Sequence, residues 1–237
     1  MKWCLVTGGA KNLGSVICQN LAEQGYPVVV HYRNSLKEAE DTVKKCLKFK
    51  VPVEYVQGDF STYESTQKFL DEYQKRFSET QILINNIGNY FVGSAMATPV
   101  EQWYGLFQTN LHAPYLLVRG LLASIKKSQG SIINIGIAGL NTLRADVYST
   151  AYSLTKSGLL MLTKSLAAEL AAEQVRVNMI SPGYLEKAVD LPKNLEKIPM
   201  QRPGSYQEVA DMILYLLSDK ARYITGQNIE VAGGTRL

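Results

Sequence analysis

Short β-rich apolar runs alternate with longer amphipathic stretches from one end of this chain to the other. That alternation restricts the fold to repeated strand–helix units built on a parallel sheet. Candidate strands fall at 2–7, 27–31, 53–57, 81–85, 131–135, 175–181 and 228–231. They are near-continuous apolar runs, as expected where helices cover both faces of the sheet. Capping-box patterns mark helix starts at Ser35-x-x-Glu38, Ser61-x-x-Glu64, Thr98-x-x-Glu101 and Ser205-x-x-Glu208, with Pro99 suited to a first helical position. No repeat, low-complexity tract or linker divides the 237 residues. The expectation is one α/β domain over 1–237, doubly wound, with helices on both faces.

Composition narrows the function. A chain of this length buries roughly 70–75% of its unfolded surface, so it needs neither disulfide nor metal. Cys4, Cys18 and Cys46 lack metal-ligand spacing and read as buried thiols of a reducing compartment. The net charge of +4 is spread among interspersed acids and bases, which gives no stripe for nucleic acid. No apolar run approaches the roughly eighteen residues of a membrane span, and the chain opens on a short strand, not a signal-peptide core. The expected location is cytoplasmic. The least regular stretch, 182–204, holds four prolines; a loop that long in a compact domain is more often a functional lid than a plain connection.

Two constellations carry chemistry. The first is Thr7-Gly8-Gly9-Ala10-Lys11-Asn12-Leu13-Gly14, between the first strand and a helix running to Gly25. Glycines let the backbone turn tightly against a pyrophosphate, while the helix N-terminus offers free N–H groups and a positive dipole end. A site that prefers NAD puts an acid at the end of the second strand. Here that place reads His31-Tyr32-Arg33-Asn34-Ser35, without an acid. Arg33 and Lys11 are placed to bracket a ribose 2′-phosphate, so the expected cofactor is NADPH (NADP+).

The second constellation is Tyr152 and Lys156, four residues apart in a strongly helical run and therefore on one helix face. A nearby ammonium favours the phenolate, and a tyrosine so tuned gives or takes a proton at neutral pH. Alone, such a pair is commonly a solvated surface pair. Its meaning comes from the glycine turn before it and from Asn85-Asn86-Ile87-Gly88, which ends the fourth strand.

With these residues in hand, the chain resembles the short-chain dehydrogenase/reductase family over essentially its whole length. The glycine turn, the Asn-Asn-x-Gly segment, the Tyr-x-x-x-Lys pair and Pro182-Gly183 after the sixth strand occur in the family's order. The resemblance implies a Rossmann-type, seven-stranded parallel sheet and nicotinamide-dependent oxidoreduction. It implies that Tyr152 protonates the substrate while hydride leaves the cofactor, and that Lys156 holds the nicotinamide ribose and acidifies the tyrosine. It further implies that Asn110 supports a proton-relay water, Asp59 contacts the adenine and Asn86 lines the adenine ribose. Gly8, Lys11, Asn12, Leu13, Gly14, Arg33, Asn34, Gly88, Pro182 and Gly183 complete the implied cofactor site.

Two departures stand out. Asn12 replaces the second turn glycine, as in pteridine reductases. Ile137 stands just past the fifth strand, where the family places a serine, or an aspartate in pteridine reductases, to orient the substrate carbonyl. The distance from there to the tyrosine is also about two residues longer than the family's usual spacing. Losing one such hydrogen bond costs on the order of 10²–10³ in rate. Tyr148 is a candidate replacement if the helix begins early enough to align it with Tyr152 and Lys156; the other reading is packing at the helix entrance.

Within the family, Ile-Ile-Asn-Ile-Gly136 and the general texture resemble 3-oxoacyl-carrier-protein reductases. The segments 10–14, 31–33 and 221–226, the ending Gly233-Gly-Thr-Arg-Leu237, and Tyr90 as an aromatic placed to stack on a pterin ring resemble pteridine reductases. The reading favours a small-molecule or carrier-bound carbonyl substrate, with pterin reduction as the alternative. A non-catalytic cofactor-binding protein of the same fold is the third reading, supported by Ile137 alone. Segment 151–172 carries more leucine and alanine than one sheet-facing stripe requires. The resemblance turns that surplus into an expected homo-oligomer, a tetramer or dimer, using this helix and a long one from Pro99 to about Lys126. The alternative cover is the chain's own segment 141–147.

Overall fold

The computed structural model describes residues 1–189 and 191–236; Asp190 and Leu237, the last residue of the C-terminal motif, lie outside the described residues. Strands β1 (Trp3–Val6), β2 (Val28–Tyr32), β3 (Val53–Gln57), β4 (Thr80–Asn85), β5 (Ser131–Ile135), β6 (Arg176–Pro182) and β7 (Asn228–Val231) form one sheet. They pair in parallel in the order β3-β2-β1-β4-β5-β6-β7. All seven expected strands are present, with ends shifted by at most one residue. Helices α1 (Asn12–Glu23), α2 (Leu36–Leu47), α3 (Tyr63–Arg76), α4 (Val100–Phe107), α5 (Ala113–Lys127), α6 (Thr150–Leu170) and α7 (Tyr206–Leu217) fill the connections.

Both faces are covered, and the alternation along each strand decides which core a side chain joins. Cys4 and Val6 of β1 point into a core shared with Ile17 and Leu21 of α1 and Ile213 of α7. Leu5, between them, packs on the opposite face with Phe69 of α3 and Leu117 and Leu121 of α5. All three cysteines are free and buried. The strand order reverses between β1 and β4, so the loops leaving their carboxyl ends diverge and open a crevice there.

The helix starts only partly follow the sequence patterns. Ser205 and Glu208 form the expected box: the Glu208 N–H donates to Ser205 Oγ at 3.1 Å, and the Ser205 N–H to Glu208 Oε2 at 2.8 Å. In α3 the box moves one residue on, to Thr62 and Ser65, because the Ser61 N–H is taken by Asp59 Oδ1 at 3.0 Å. Ser35 makes no side-chain cap bond. The Thr98 hydroxyl donates instead to the Ser94 carbonyl, which leaves Pro99 in the cap position and Val100 as the first helical residue.

The long helix expected from Pro99 is broken in one place. Between α4 and α5, residues Gln108–His112 form a π-helical turn, a form that recurs at functional sites. The apolar surplus of α6 is also accounted for within the chain. Leu159 and Leu160 pack with Leu111 and Leu140, and Leu166, Ala167 and Leu170 join the sheet core. What stays exposed is a narrow line of Leu154, Met161 and Ala168, seven residues apart.

Candidate active site

The crevice is built from the glycine turn upward. Gly8 has a left-handed φ of 63°, and a Cβ there would lie 2.9 Å from Ile87 Cγ1. A Cβ on Gly14 would collide with the Gly8 carbonyl oxygen. Asn12 also adopts positive φ, at 50°; asparagine is among the few residues that tolerate this region, so the missing glycine leaves the turn intact. Lys11, at the N-cap of α1, makes no side-chain cap bond, which leaves the first-turn N–H groups of the helix for an anionic ligand.

Three side chains hold this turn. Asn86 Nδ2 donates to the Thr7 and Gly8 carbonyls at 2.9 and 3.2 Å, and Thr7 Oγ1 accepts from the Asn86 and Ile87 N–H groups. His31, fully buried at the end of β2, accepts from the Gly8 N–H through Nδ1 at 3.1 Å. Its Nε2, 3.2 Å from the Gly58 carbonyl, therefore carries the proton and donates there. The ring stacks on Phe60 with centroids 4.4 Å apart. Burial pushes the His31 pKa down to about 4, against the opposing pull of Gly58 and Asp59, so the ring is neutral at physiological pH. The local signal for this role is a lone histidine near the end of an otherwise apolar strand.

Beside the turn lies a cleft of about 450 Å³. Lys11, Asn12, Leu13, Arg33, Asn34 and Asp59 line it together with Gly88 and Asn89. The structure therefore brings the expected cofactor residues of the first half of the chain into one cleft. Arg33 Nη1 stands 3.9 Å from Asp59 Oδ1, and both side chains are about half exposed. Asp59 thus shares its charge between Arg33 and the turn that starts α3.

The π turn explains where Asn110 sits. Asn110 is fully buried: its Oδ1 accepts from the Asn89 N–H at 2.8 Å, and its Nδ2 donates to the Asn89 carbonyl and to Thr155 Oγ1. It ties the loop after β4 to α6. A Cβ on Gly88 would lie 3.2 Å from Lys156 Nζ, so a side chain here would press on the ammonium.

Lys156 is 2% exposed, and its Nζ donates to the Ile135 carbonyl at 2.7 Å. No carboxylate pairs with it among the described residues, and burial lowers its pKa to about 8. The ammonium stands 5.8 Å from the centre of the Tyr152 ring. Tyr90 meets that ring edge-on, with centroids 4.8 Å apart. Tyr152 and Tyr90 line a second cleft of about 360 Å³ that joins the first at Leu13 and Asn86. Pro182, Gly183, Leu185 and Val189 line it as well, so the first part of the proline-rich segment does face the site.

Two expectations about the substrate end fare differently. Ile137 lines the second cleft and offers it only an apolar side chain. Tyr148 does not take its place: α6 begins at Thr150, so Tyr148 precedes the helix and lines a neighbouring hollow beside Ser157 and Leu160. Asp146 explains that start. Its Oδ1 accepts from the Tyr148 and Ser149 N–H groups, both at 2.9 Å, and its Oδ2 from the Ser149 and Ser153 hydroxyls. Burial opposes the charge, but the bonds from Ser153, Ser149 and Tyr148 outweigh it and hold Asp146 below its ordinary range. Asp146-x-x-Ser149 ahead of the helix is the capping signal for this start, legible in the sequence.

The sequence matches the family profile described as Enoyl-(Acyl carrier protein) reductase over residues 8–236. The 3-oxoacyl-[acyl-carrier-protein] reductase FabG of Staphylococcus epidermidis is 31% identical over 242 residues, which cover 98% of each chain. The acetoin dehydrogenase YohF from Salmonella typhimurium superposes with a TM-score of 0.89 at 29% identity, over 98% of this chain and 95% of that one. A blue fluorescent protein from a metagenomic library, solved in complex with NADPH, shares the fold at a TM-score of 0.91 and 23% identity, over 100% and 98% of the two chains.

Proposed function

The chain belongs to the short-chain dehydrogenase/reductase family, and from that premise we propose that it is an NADPH-dependent reductase of a carbonyl substrate. The observation that carries this reading is the buried Lys156, without a carboxylate partner among the described residues, beside Tyr152 in the wall of the second cleft. An ammonium left without a carboxylate in a low-dielectric site is costly, and such sites are where proteins tune acid–base groups. The turn around Gly8, Asn12 and Gly14 and the N-terminus of α1 fit a pyrophosphate, and Lys11, Arg33 and Asn34 fit a ribose 2′-phosphate. Asp59 would contact the adenine, Asn86 would line the adenine ribose, and Leu13, Gly88, Pro182 and Gly183 would complete the cofactor's seat.

When bound, the nicotinamide supplies a hydride to the substrate carbon. Tyr152 supplies the proton at the carbonyl oxygen, and Lys156 keeps the phenol acidic and holds the ribose. Asn110 acts as a positioning residue that fixes the Gly88–Asn89 loop against Lys156. With Ile137 in place of a donor, the substrate carbonyl depends on Tyr152 for its hydrogen bond. That arrangement suits a reactive carbonyl such as a 3-oxoacyl group, the activity named for the Staphylococcus relative. A flat pterin is the second reading, favoured by the Tyr90 ring in the substrate cleft. We take the whole chain as one catalytic domain.

Cofactor preference tests the reading at its outer end. Two hydrogen bonds to a charged phosphate, each worth about 1.5–3 kcal/mol, favour NADPH over NADH by at least tenfold. Fluorescence titration of both cofactors is expected to show that preference, and Arg33→Ala is expected to erase most of it. Equal affinities in the parent chain, or an unchanged ratio in the variant, contradict the assignment.

The chain also forms a homo-oligomer, either dimer or tetramer, in this reading. The exposed Leu154 and Met161 line on α6 and the exposed Tyr104 and Tyr115 on the α4–α5 helix supply the apolar surface. Light scattering at micromolar concentration is expected to give a multiple of 26.3 kDa, and a monomer mass removes this part of the proposal.

A further inference from the structure

The substrate cleft holds groups that the chemistry of Tyr152 does not use. Thr235, after β7, lines the cleft and is 7% exposed, and its hydroxyl has no partner among the described residues. A buried hydroxyl without a partner carries a desolvation cost that a ligand acceptor would recover. Its neighbour Arg236 lines the same cleft and forms no ion pair among the described residues. No aspartate or glutamate is among the described residues of the cleft wall.

The backbone is shaped to bring this pair in. Gly233 and Gly234 adopt positive φ, at 58° and 82°, and the Thr235 N–H closes the turn on the Ala232 carbonyl at 3.0 Å. Gly139, past β5, has a φ of 89°, and a Cβ there would lie 2.9 Å from Arg236 Cδ. Any side chain at 139 would push the arginine off its seat. Lys187 also lines the cleft, but it borders Lys11 and Asn12 as well, so its charge is shared with the glycine turn. Arg236 does not line the cofactor cleft.

We propose that Thr235 and Arg236 form a subsite for an anionic group on the substrate, which makes the substrate a small oxo acid or a phosphorylated ketone. A guanidinium presents paired donors that match a carboxylate or a phosphate, and the Thr235 hydroxyl adds a third. Ile137, Leu185 and Val189 offer apolar contact to the carbon skeleton between the anion and the carbonyl. The inference rests on the reading of the chain as a carbonyl reductase and narrows its substrate.

The test compares acetoacetate with its methyl ester, and dihydroxyacetone phosphate with dihydroxyacetone, in the presence of NADPH. The parent chain is expected to prefer one anionic member over its neutral partner by about tenfold or more in kcat/KM, the worth of one hydrogen bond to a charge. Which pair discriminates tells carboxylate from phosphate. Arg236→Gln is expected to collapse that ratio through KM, and Arg236→Lys to restore part of it. Equal use of acid and ester and of both ketones by the parent chain overturns the subsite, as does an Arg236→Gln ratio equal to the parent's. If no compound is turned over, saturation-transfer NMR of the same four compounds against the NADP+-loaded protein decides the subsite separately. Binding of an anion that is lost in Arg236→Gln keeps the subsite while the reductase reading fails, and no such binding removes the subsite too.

Discussion

Tyr152→Phe is expected to lower kcat by about 10²–10⁴, the usual worth of a positioned proton donor, while NADPH affinity stays within a few-fold. The substitution removes one hydroxyl and little volume. The Phe ring keeps the edge contact with Tyr90, and Ile137 offers no donor at its own position to replace the lost hydroxyl. Tyr148 precedes α6 and lines a neighbouring hollow, so it does not share a helix face with Lys156. The check is steady-state NADPH oxidation alongside a cofactor titration. Wild-type kcat in this variant would remove Tyr152 from the role of acid.

Lys156→Met is expected to abolish turnover and weaken NADPH binding, yet to make the cofactor-free protein more stable at neutral pH. The lysine pKa falls from an ordinary 10.5 to about 8 because burial penalises the charged form. Such a shift corresponds to about 3 kcal/mol of strain on the folded state, and losing the bond to the Ile135 carbonyl returns about 1 kcal/mol of it. A net gain of about 2 kcal/mol remains. The pH dependence fixes the cause. Between about pH 8 and the unfolded value the unfolded chain binds more protons, so the parent's stability rises with pH in that window. The full penalty applies below it. The variant's advantage in urea denaturation therefore shrinks as pH is raised from neutral towards about 10. A variant less stable than the parent at neutral pH, or an advantage independent of pH, contradicts the burial account.

Much of the fold was legible because strand and helix periods repeat so plainly. Each apolar run at 53–57, 131–135 and 228–231 became a strand with the bounds read from it. The glycine turn, Asn86 and the Tyr152–Lys156 pair were legible for a related reason: their chemistry needs particular residue types at fixed local spacing. What escaped was set by competition or by distance in sequence. Thr98 and Ser61 have the right pattern for caps, but Ser94 and Asp59 claim the groups that capping would use. The break at Gln108–His112 leaves no mark in hydrophobic periodicity, because the helix continues on both sides of it. His31 bridges Gly8 and Gly58, and Arg236 rests against Gly139; neither contact has a local pattern to betray it. The leucines of α6 divide between two roles that their number alone does not separate: Leu111 and Leu140 of the same chain cover Leu159 and Leu160, while Leu154 and Met161 stay exposed.

The central claim is that the two clefts hold cofactor and ketone together for reduction at Tyr152. Mixing the protein with NADPH and an acetoacetyl thioester, then with the oxo acids above, tests this most directly by following NADPH fluorescence and analysing the product. The account predicts loss of NADPH matched one for one by the hydroxy product with at least one of these carbonyls. NADPH that binds but persists unchanged beside every carbonyl offered, with a dihydropterin control equally inert, would contradict it and leave a cofactor-binding protein that performs no reduction.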